Sequence, residues 1–334
     1  MTQVVIGTNV VTLADWATRV DPEGRIAVIA ELLAQKNEVI PDMHWEEGNL
    51  PTGHRIVQRT GLPTVMARSL NQGITPSKST TTPVDEACAF IEGFLEIDRD
   101  IVELNGQDAA FRMSEADGFI ESMNQAFAQI LMYGDPTLAP AVFRGFAARL
   151  NGVSTGNTAF AANVLLGTQV ASTNTSVWLV CWGPNSVYGI FPKGSKAGLI
   201  HEDLGLQVVE NVAGIGGARM MAYREHWQWK CGLAVADWRY IVRAQVGTTI
   251  SSGTIASDLI NLMSRMIDRL PSLTAGRCAF YMNRTIFSIL KIQALAKSNQ
   301  ALSVEEGLTQ IEYKFLGIPL RKVDQILNTE SSVT

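Results

Sequence analysis

The sequence predicts a mixed α+β fold, in which strands that pair over long sequence distances are combined with a few amphipathic helices. Two observations predict it. Alternating runs rich in valine, isoleucine and tryptophan are typical of strands in both halves of the 334-residue chain. Elsewhere apolar residues recur at spacings of three and four, the pattern of helices with one buried face. No strand–helix–strand repeat runs through the sequence, so a doubly wound parallel sheet is not predicted.

Two helices are predicted in the first half of the chain. VDPEGRIAVIAELLAQKN has Asp21 as a cap, Pro22 in the first turn and an apolar stripe behind them. SEADGFIESMNQAFAQILMYGDP has apolar residues at helical spacing over residues 114–133, and Gly134 and Pro136 end the pattern. At ~1.5 Å per residue the second helix is roughly 30 Å long. A helix of that length crosses a whole domain and is expected to act as a spine.

The second half of the chain predicts strands and two further helices. SVWLVCWGPNSVYGIFPKG predicts a hairpin that turns at residues 183–186. RMMAYREHWQWKCGLAVADWRYIVRAQV predicts two strands with a break near Gly232. SDLINLMSRMIDRLP is an amphipathic helix, and CAFYMNRTIFSILKIQALAK reads as a strand, a cap at Asn283 and a helix. QIEYKFLGIPLRKVDQIL predicts two strands joined by a Gly-Ile-Pro turn.

The composition excludes several classes of protein. A net charge of -5 without a basic patch argues against a protein that grips nucleic acid through phosphates. No secretion signal opens the chain, and no apolar stretch reaches the roughly 18 residues of a membrane span. A cytosolic protein without a membrane partner is therefore expected. Four cysteines without metal-binding spacing predict buried free thiols and no cofactor, namely Cys88, Cys181, Cys231 and Cys278.

One long segment does not fit a compact core. NLPTGHRIVQRTGLPTVMARSLNQGITPSKSTTTPV, residues 49–84, contains four prolines, which break helices and leave sheet hydrogen bonds unmade. Connections longer than roughly 15 residues are uncommon in compact domains. The segment has apolar residues and four cations but no acid. It is either a floppy surface insertion or a projecting two-stranded arm whose partner is another subunit.

No convincing catalytic set appears in the sequence. His44 lies near Trp45 and Glu46, and His201 is followed by Glu202 and Asp203, so each histidine could act as a base oriented by an acid. We interpret both as surface or packing histidines. GIGGAR and PKGSKAG have glycines but lack the complete phosphate-binding motifs, and we interpret them as turns.

Several motifs together resemble those of a known family. FLGIPLRKVDQI resembles the closing strand of tailed-phage major capsid proteins, and FYMNRTIFSIL the strand-to-helix step shortly before it. WQWKCGLAVADWRYIVR is similar to the matching strand pair upstream. The stretches from LAQKNEVIPDMHWEEG through SLNQGITPSKST, AAFRMSEADGFIESMNQ and MYGDPTLAPAVFRGFAARLNG complete the likeness. It covers nearly the whole chain and is closest to the Bordetella-phage type of coat subunit.

The resemblance implies the HK-97-type capsid fold, with an axial domain, a peripheral domain containing a spine helix, an N-terminal arm and an extended two-stranded loop. On this mapping residues 1–48 are the N-terminal arm and helix, and 49–84 the extended loop. Residues 85–180 form the peripheral domain with spine helix 114–133, and 181–334 the axial domain with returning peripheral strands.

The implied function is a major capsid protein, not an enzyme, in the virion capsid of a tailed bacteriophage. Copies of the chain would assemble in the host cytoplasm into hexamers and pentamers of an icosahedral shell around double-stranded DNA, which they would not read by sequence. Implied partners are the chain itself, a separate scaffolding protein, a portal and a decoration protein.

The predicted site residues lie in the extended loop. Cations are expected to meet acidic patches on neighbouring subunits and to set register and rate of assembly, namely Arg55, Arg59, Arg68 and Lys78. Three glycines are expected to let the loop bend, namely Gly53, Gly61 and Gly73. Some relatives cross-link a loop lysine to an asparagine, but no matching acid accompanies Lys78 here.

Two other functions remain open at the level of sequence. The same fold would serve an encapsulin-like bacterial compartment that encloses a cargo enzyme. A cytosolic enzyme in which residues 49–84 form a mobile lid would need a polar site beneath the lid, with His44 and His201 as its candidates.

Overall fold

The computed structural model describes residues 34–103, 108–153, 159–210, 219–248, 258–296, 302–306 and 311–333. Its helices are α1 (Arg99–Val102), α2 (Asp108–Tyr133), α3 (Phe146–Arg149), α4 (Leu259–Arg269) and α5 (Arg284–Ala296). Its strands are β1 (Trp45–Glu47), β2 (Gly53–Gly61), β3 (Thr80–Asp98), β4 (Val164–Leu166), β5 (Asn174–Trp182), β6 (Val187–Phe191), β7 (Leu199–Glu210), β8 (Arg219–Val235), β9 (Ile241–Gly247), β10 (Arg277–Met282), β11 (Leu302–Glu306), β12 (Ile311–Phe315) and β13 (Ile318–Lys322).

The chain divides into two compact units. Of the described residues, the first contains 34–35 and those within Phe90–Phe127 and Gly198–Lys230, and the second contains those within Lys36–Ala89, Ala128–Ala197 and Cys231–Thr334. Strands β3 and β8 and helix α2 each contribute residues to both units. The four-part division expected from the sequence differs from this one and stays a prediction.

The core of the second unit is built on β5. All nine residues of this strand are buried, because both edges are paired and both faces are covered. It pairs antiparallel with β9 and with β10, β10 pairs parallel with β13, and β12 and β11 follow β13. Apolar side chains of α4 and α5, such as Met263 and Leu290, join those of β5, β9 and β10 in one buried cluster.

Helices α4 and α5 are the two helices predicted for this half of the chain, and α5 has the predicted cap at Asn283. The carboxylate of Asp258 accepts a hydrogen bond from the Asn261 amide, and the Asn283 side chain accepts one from the Ile286 amide at 2.9 Å. Such caps satisfy amides that have no partner inside the helix. The two closing strands are also confirmed, but their turn lies at Leu316 and Gly317, which are left-handed with φ 47° and 84°. Ile318 and Pro319 of the predicted Gly-Ile-Pro turn belong to β13.

The first unit has its own small core. Strands β7 and β8 pair antiparallel from Leu199 opposite Trp229 to Glu210 opposite Arg219. Leu95, Ile97, Val102 and Phe111 form a buried cluster on which Tyr223 and Phe119 pack. Helix α2 ends at Tyr133, as in the pattern, and begins at Asp108, six residues before the expected 114.

Part of the first predicted helix lies outside the described residues. Residues 34–37 of that segment are described and are not helical. Most of the GIGGAR stretch, residues 214–218, likewise lies outside the described part of the chain.

The predicted hairpin over residues 176–194 is wrong. Strands β5 and β6 meet only at Trp182 and Val187, and they form no antiparallel ladder. Instead β5 pairs with β9 and β10, whereas β6 pairs with β8 and β1. A short turn between two apolar runs is the usual hairpin signal, but here tertiary pairing separates the two strands.

The predicted strand break at Gly232 is also wrong. Strand β8 continues through this residue to Val235, and the chain turns only at the short 3-10 helix Trp238–Tyr240. The glycine serves close packing instead. A Cβ at residue 232 would lie 2.9 Å from Cγ1 of Ile190 and 3.0 Å from the carbonyl oxygen of Ala87.

The cysteines correct a third expectation. Cys181 on β5 and Cys278 on β10 are directly opposite in the antiparallel ladder and are joined by a disulfide. Cys88 and Cys231 are free, as predicted. Burial raises the pKa of the Cys88 thiol to about 11. Since the thiolate is the reactive form, Cys88 is a poor nucleophile near neutral pH.

Candidate assembly surface

Residues 49–84, called the arm from here on, form a two-stranded ribbon with an irregular tip. Strand β2 pairs antiparallel with the first part of β3, from Gly53 opposite Ala87 to Gly61 opposite Thr80. The register shifts between Arg59 and Gly61, which marks an irregularity near the end of the ladder. Residues 62–79 have no helix or strand. The segment is therefore a two-stranded arm and not an unstructured insertion.

The apolar side chains of the tip are exposed. Leu62 is 81% exposed, and Val65 and Leu70 are each 89% exposed. Met66 and Ile74 are exposed by more than half. Single exposed apolar residues are common, but a cluster of large ones is typical of a surface that contacts another molecule. The tip therefore contains the large apolar side chains that are typical of an interface, and in the single chain these side chains are exposed to solvent.

The base of the arm is fixed by polar contacts. Arg55 donates from Nε and Nη2 to the two carboxylate oxygens of Asp85, each at 2.6 Å. This ion pair lowers the pKa of Asp85, mainly through the side-chain hydrogen bond from Arg55. On the outer edge of β2, the Asn49 side chain accepts from the Arg55 amide and donates to the Arg55 carbonyl oxygen. The Asn49 side chain thus makes, at Arg55, the two backbone hydrogen bonds that a neighbouring strand would otherwise make.

The four cations predicted to act in assembly do not share one environment. Arg55 is occupied by Asp85 in the same chain. Arg59, Arg68 and Lys78 are exposed, and within the described residues no acid lies within ion-pairing distance of them. The structure thus separates one internally paired arginine from three cations that are available to a partner.

The three predicted hinge glycines also differ. Gly53 is buried, and a Cβ there would collide with the carbonyl oxygen of Glu86. Gly61 lies at the register shift, where a Cβ would be 2.5 Å from Oγ1 of Thr80. Gly73 lies in the tip, where a Cβ would meet no atom within 4 Å. Close packing accounts for the glycine at position 53, whether or not the arm bends there.

Sequence reasoning missed the contacts that hold the arm at its base. The partners of Arg55 and of the β2 edge are Asp85 and Asn49, and a buried pair joins Glu86 to Arg149, 63 residues away. The alternation of β3 contains a weak signal, because Glu86 falls where a buried residue is expected. Nothing near Arg149 identifies its partner.

Each candidate catalytic histidine forms a hydrogen bond with one glutamate. His44 Nε2 lies 3.0 Å from Glu46 Oε1 at the surface. His201 Nε2 lies 2.9 Å from Glu225 Oε2. Its acid partner is therefore 24 residues along the chain and is not the sequence neighbour Glu202. Glu225 also accepts from Arg112 Nε at 2.7 Å. Among the described residues, no cluster of three metal-ligating side chains occurs.

None of the helices in the described part of the chain is both long enough and apolar enough to cross a membrane.

Comparison with known proteins identifies a family and structures of similar fold. The family model of Major capsid protein GP7 matches residues 21–334. A chain in the structure of bacteriophage Epsilon15 is 30% identical, with a TM-score of 0.79, over 99% of this chain and 100% of that chain. No curated protein matches the chain.

More distant structures share less. A chain of the bacteriophage JBD30 capsid is 8% identical, with a TM-score of 0.49 over 88% of this chain and 93% of its own. The holo-SrpI encapsulin complex from Synechococcus elongatus gives 12% identity and a TM-score of 0.42, over 70% of this chain and 95% of that chain. The family model and the Epsilon15 match favour a phage coat protein over the encapsulin-like compartment.

The α+β fold with its projecting two-stranded arm, together with the Epsilon15 match over the whole chain, defines a tailed-phage major capsid protein with the HK-97-type fold. The chain belongs to the Major capsid protein GP7 family. It is a structural shell subunit of the virion and not an enzyme, which removes the lid interpretation of residues 49–84.

Proposed function

We propose that copies of this chain form hexamers and pentamers of an icosahedral shell around packaged double-stranded DNA, and that each arm lies over a neighbouring subunit. The observation that carries this proposal is the exposed apolar tip of the arm. Residues such as Leu62, Val65 and Leu70 contribute little to the fold of their own chain. Burial against a neighbour gains roughly 25 cal/mol per Å² of apolar area, which favours association.

The cations of the arm support the same proposal. Arg59, Arg68 and Lys78 are free to meet acids on a neighbour, whereas Arg55 maintains the arm itself. Charges at the rim of an interface act mainly on register and association rate. The glycines at 61 and 73 provide the bending that a precursor shell needs when it expands.

Finer parts of the assignment follow from the sequence resemblance. The order of motifs supports a coat subunit of the Bordetella-phage type, assembled in the host cytoplasm with a separate scaffolding protein, a portal and a decoration protein. The mild acidity of the chain supports a lining that does not bind packaged DNA tightly. Residues 1–48 would be the N-terminal arm, 85–180 the peripheral domain and 181–334 the axial domain with returning strands.

The test is to replace residues 62–79 by Asn-Gly. This dipeptide closes two-residue hairpins, so β2 and β3 keep their pairing and the variant is expected to fold. We expect no shells, sheets or tubes by negative-stain electron microscopy, under conditions in which the unaltered chain, expressed with its scaffolding protein, forms them.

A second variant with an arm of full length distinguishes the loss of apolar contacts from the loss of arm length. Leu62→Ser, Val65→Ser and Leu70→Ser together keep the length of the arm and should lose assembly to a similar degree. Normal shells from the shortened arm would contradict the role of the tip. A monodisperse monomer of the unaltered chain with the scaffolding protein present would contradict the coat function itself.

A further inference from the structure

A buried ion pair lies where the arm begins. Arg149 donates from Nη1 to Glu86 Oε1 and from Nη2 to Glu86 Oε2, both at 2.7 Å. The side chains are only 5% and 7% exposed. Two parallel hydrogen bonds between a planar guanidinium and a carboxylate restrict direction as well as distance.

Arg149 is held firmly on its other side. Its Nε and Nη2 also donate to the carbonyl oxygen of Arg144, at 3.2 and 3.1 Å. Arg149 ends helix α3, in which Phe146 is fully buried with its ring centroid 5.6 Å from that of Trp178 and 6.0 Å from that of Trp182. The guanidinium is therefore anchored to the core of the second unit.

Glu86 is the point at which the arm meets this anchor. It lies opposite His54 in the β2–β3 ladder, one residue from the pair of Gly53 and Ala87. The backbone of Gly53 packs directly on the Glu86 carbonyl oxygen, so that a Cβ would not fit. A change in the backbone direction at Glu86 would therefore move β2 together with β3.

Stability alone does not account for such a pair. Desolvation of two charges offsets most of their attraction, and apolar residues of similar volume often stabilise a core as well or better. What an apolar pair lacks is the fixed geometry of the two-pronged contact. The pair is thus suited to fixing an orientation.

We propose that Glu86 and Arg149 are positioning residues that set the direction in which the arm extends from the core of the second unit, and through it the curvature of the assembled shell. The proposal rests on the function proposed above, since the direction of the arm matters only if the arm contacts a neighbour. It predicts that loss of the pair changes the shape of the assembled product and does not merely lower its yield.

Two variants and one control test this proposal. Glu86→Gln removes the charge and one acceptor, while Arg149→Lys keeps the charge but lacks the planar fork. The control is Glu330→Gln, because Glu330 forms with Arg243 of β9 an ion pair of similar burial, 5% and 4% exposed at 2.9 Å, and neither residue belongs to the arm. Each variant is expressed with the scaffolding protein, its thermal midpoint is measured, and its particles are classified by electron microscopy.

We expect all three variants to unfold at lower temperature, but only Glu86→Gln and Arg149→Lys to lose closed shells in favour of tubes, open sheets or shells of altered size. If Glu86→Gln does not fold, Arg149→Lys decides. Closed shells of normal size from Arg149→Lys, or the same aberrant products from Glu330→Gln, would overturn the positioning role. Absence of any assembly by the unaltered chain would instead count against the coat function.

Discussion

At the scale of single residues, the arm contains glycines with different physical roles. Gly53 is required because strand β2 packs its backbone against the Glu86 carbonyl, whereas Gly73 has open space around it. The same residue type in the same segment thus reflects close packing in one place and an unconstrained tip in the other.

Gly53→Ala is expected to destabilise the folded chain by about 1–3 kcal/mol, the usual cost of forcing extra volume into a packed site. Gly73→Ala is the matched control and should change the free energy of unfolding by no more than about 0.5 kcal/mol. Urea unfolding of the two variants measures the difference. Equal stability would contradict the packing account of Gly53 and leave bending as its explanation.

Asp203, in the first unit, is an acid whose pKa is changed by its hydrogen bonds. Its carboxylate accepts from Arg112 Nη2 at 2.6 Å and from the Gly205 amide at 2.8 Å. These contacts, with that of Arg112 the largest, hold the pKa of Asp203 below its usual value. The carboxylate form is therefore favoured in the folded protein.

A lowered folded pKa means that this stabilisation is present above the unfolded value of about 3.9 and is lost as the pH falls through the lower folded value. Asp203→Asn should therefore be less stable than the unaltered chain near pH 7, and lose less stability below about pH 4. Urea midpoints over this range test the difference. Glu202→Gln, the exposed neighbour, is the control, and an identical acid profile in all three proteins would refute the assignment.

At the scale of elements, the arm combines a fixed base with a free tip. Asn49, Asp85 and Glu86 satisfy polar groups at the base, and the ladder of β2 and β3 continues to Gly61. Beyond that residue the tip has exposed apolar and cationic side chains. The strand pair is stabilised within its own chain, whereas the apolar side chains of the tip have no surface to cover them in the described part of that chain.

Replacing Arg59, Arg68 and Lys78 together by alanine is expected to slow assembly and to weaken its dependence on salt, because unpaired rim charges attract a partner through a screened field. Arg55→Ala is the control and should alter salt dependence less, since Asp85 already neutralises it. Light scattering at several salt concentrations measures both quantities. An unchanged salt dependence in the triple variant would show that these cations do not act in assembly.

At the scale of the whole molecule, different parts of the chain form the folded core and the proposed association surface. The second unit has a large apolar core in which β5, β9 and β10 lie under α4 and α5, and the first unit has its own cluster around Phe111. The arm shares little of either core, since Leu62, Val65 and Leu70 remain exposed. A shell subunit needs such a division, because the surface that completes it belongs to another copy.

Much of this organisation was predictable because its signals are local. Helices α4 and α5, the cap at Asn283 and the two closing strands follow from periodicity and from side chains within three or four residues. The prolines and the charge bias of residues 49–84 likewise predicted a segment outside the core.

The sequence by itself determined the α+β class, helices α4 and α5 and a segment outside the core at residues 49–84, since these depend on residues close together in the chain. Only the tertiary structure decided the partners. Strand β5 pairs with β9 and β10 and not with β6, Cys181 bonds to Cys278, and Glu86 meets Arg149. These contacts join residues many positions apart, and a local pattern shows that a residue is buried or charged without showing what it will face.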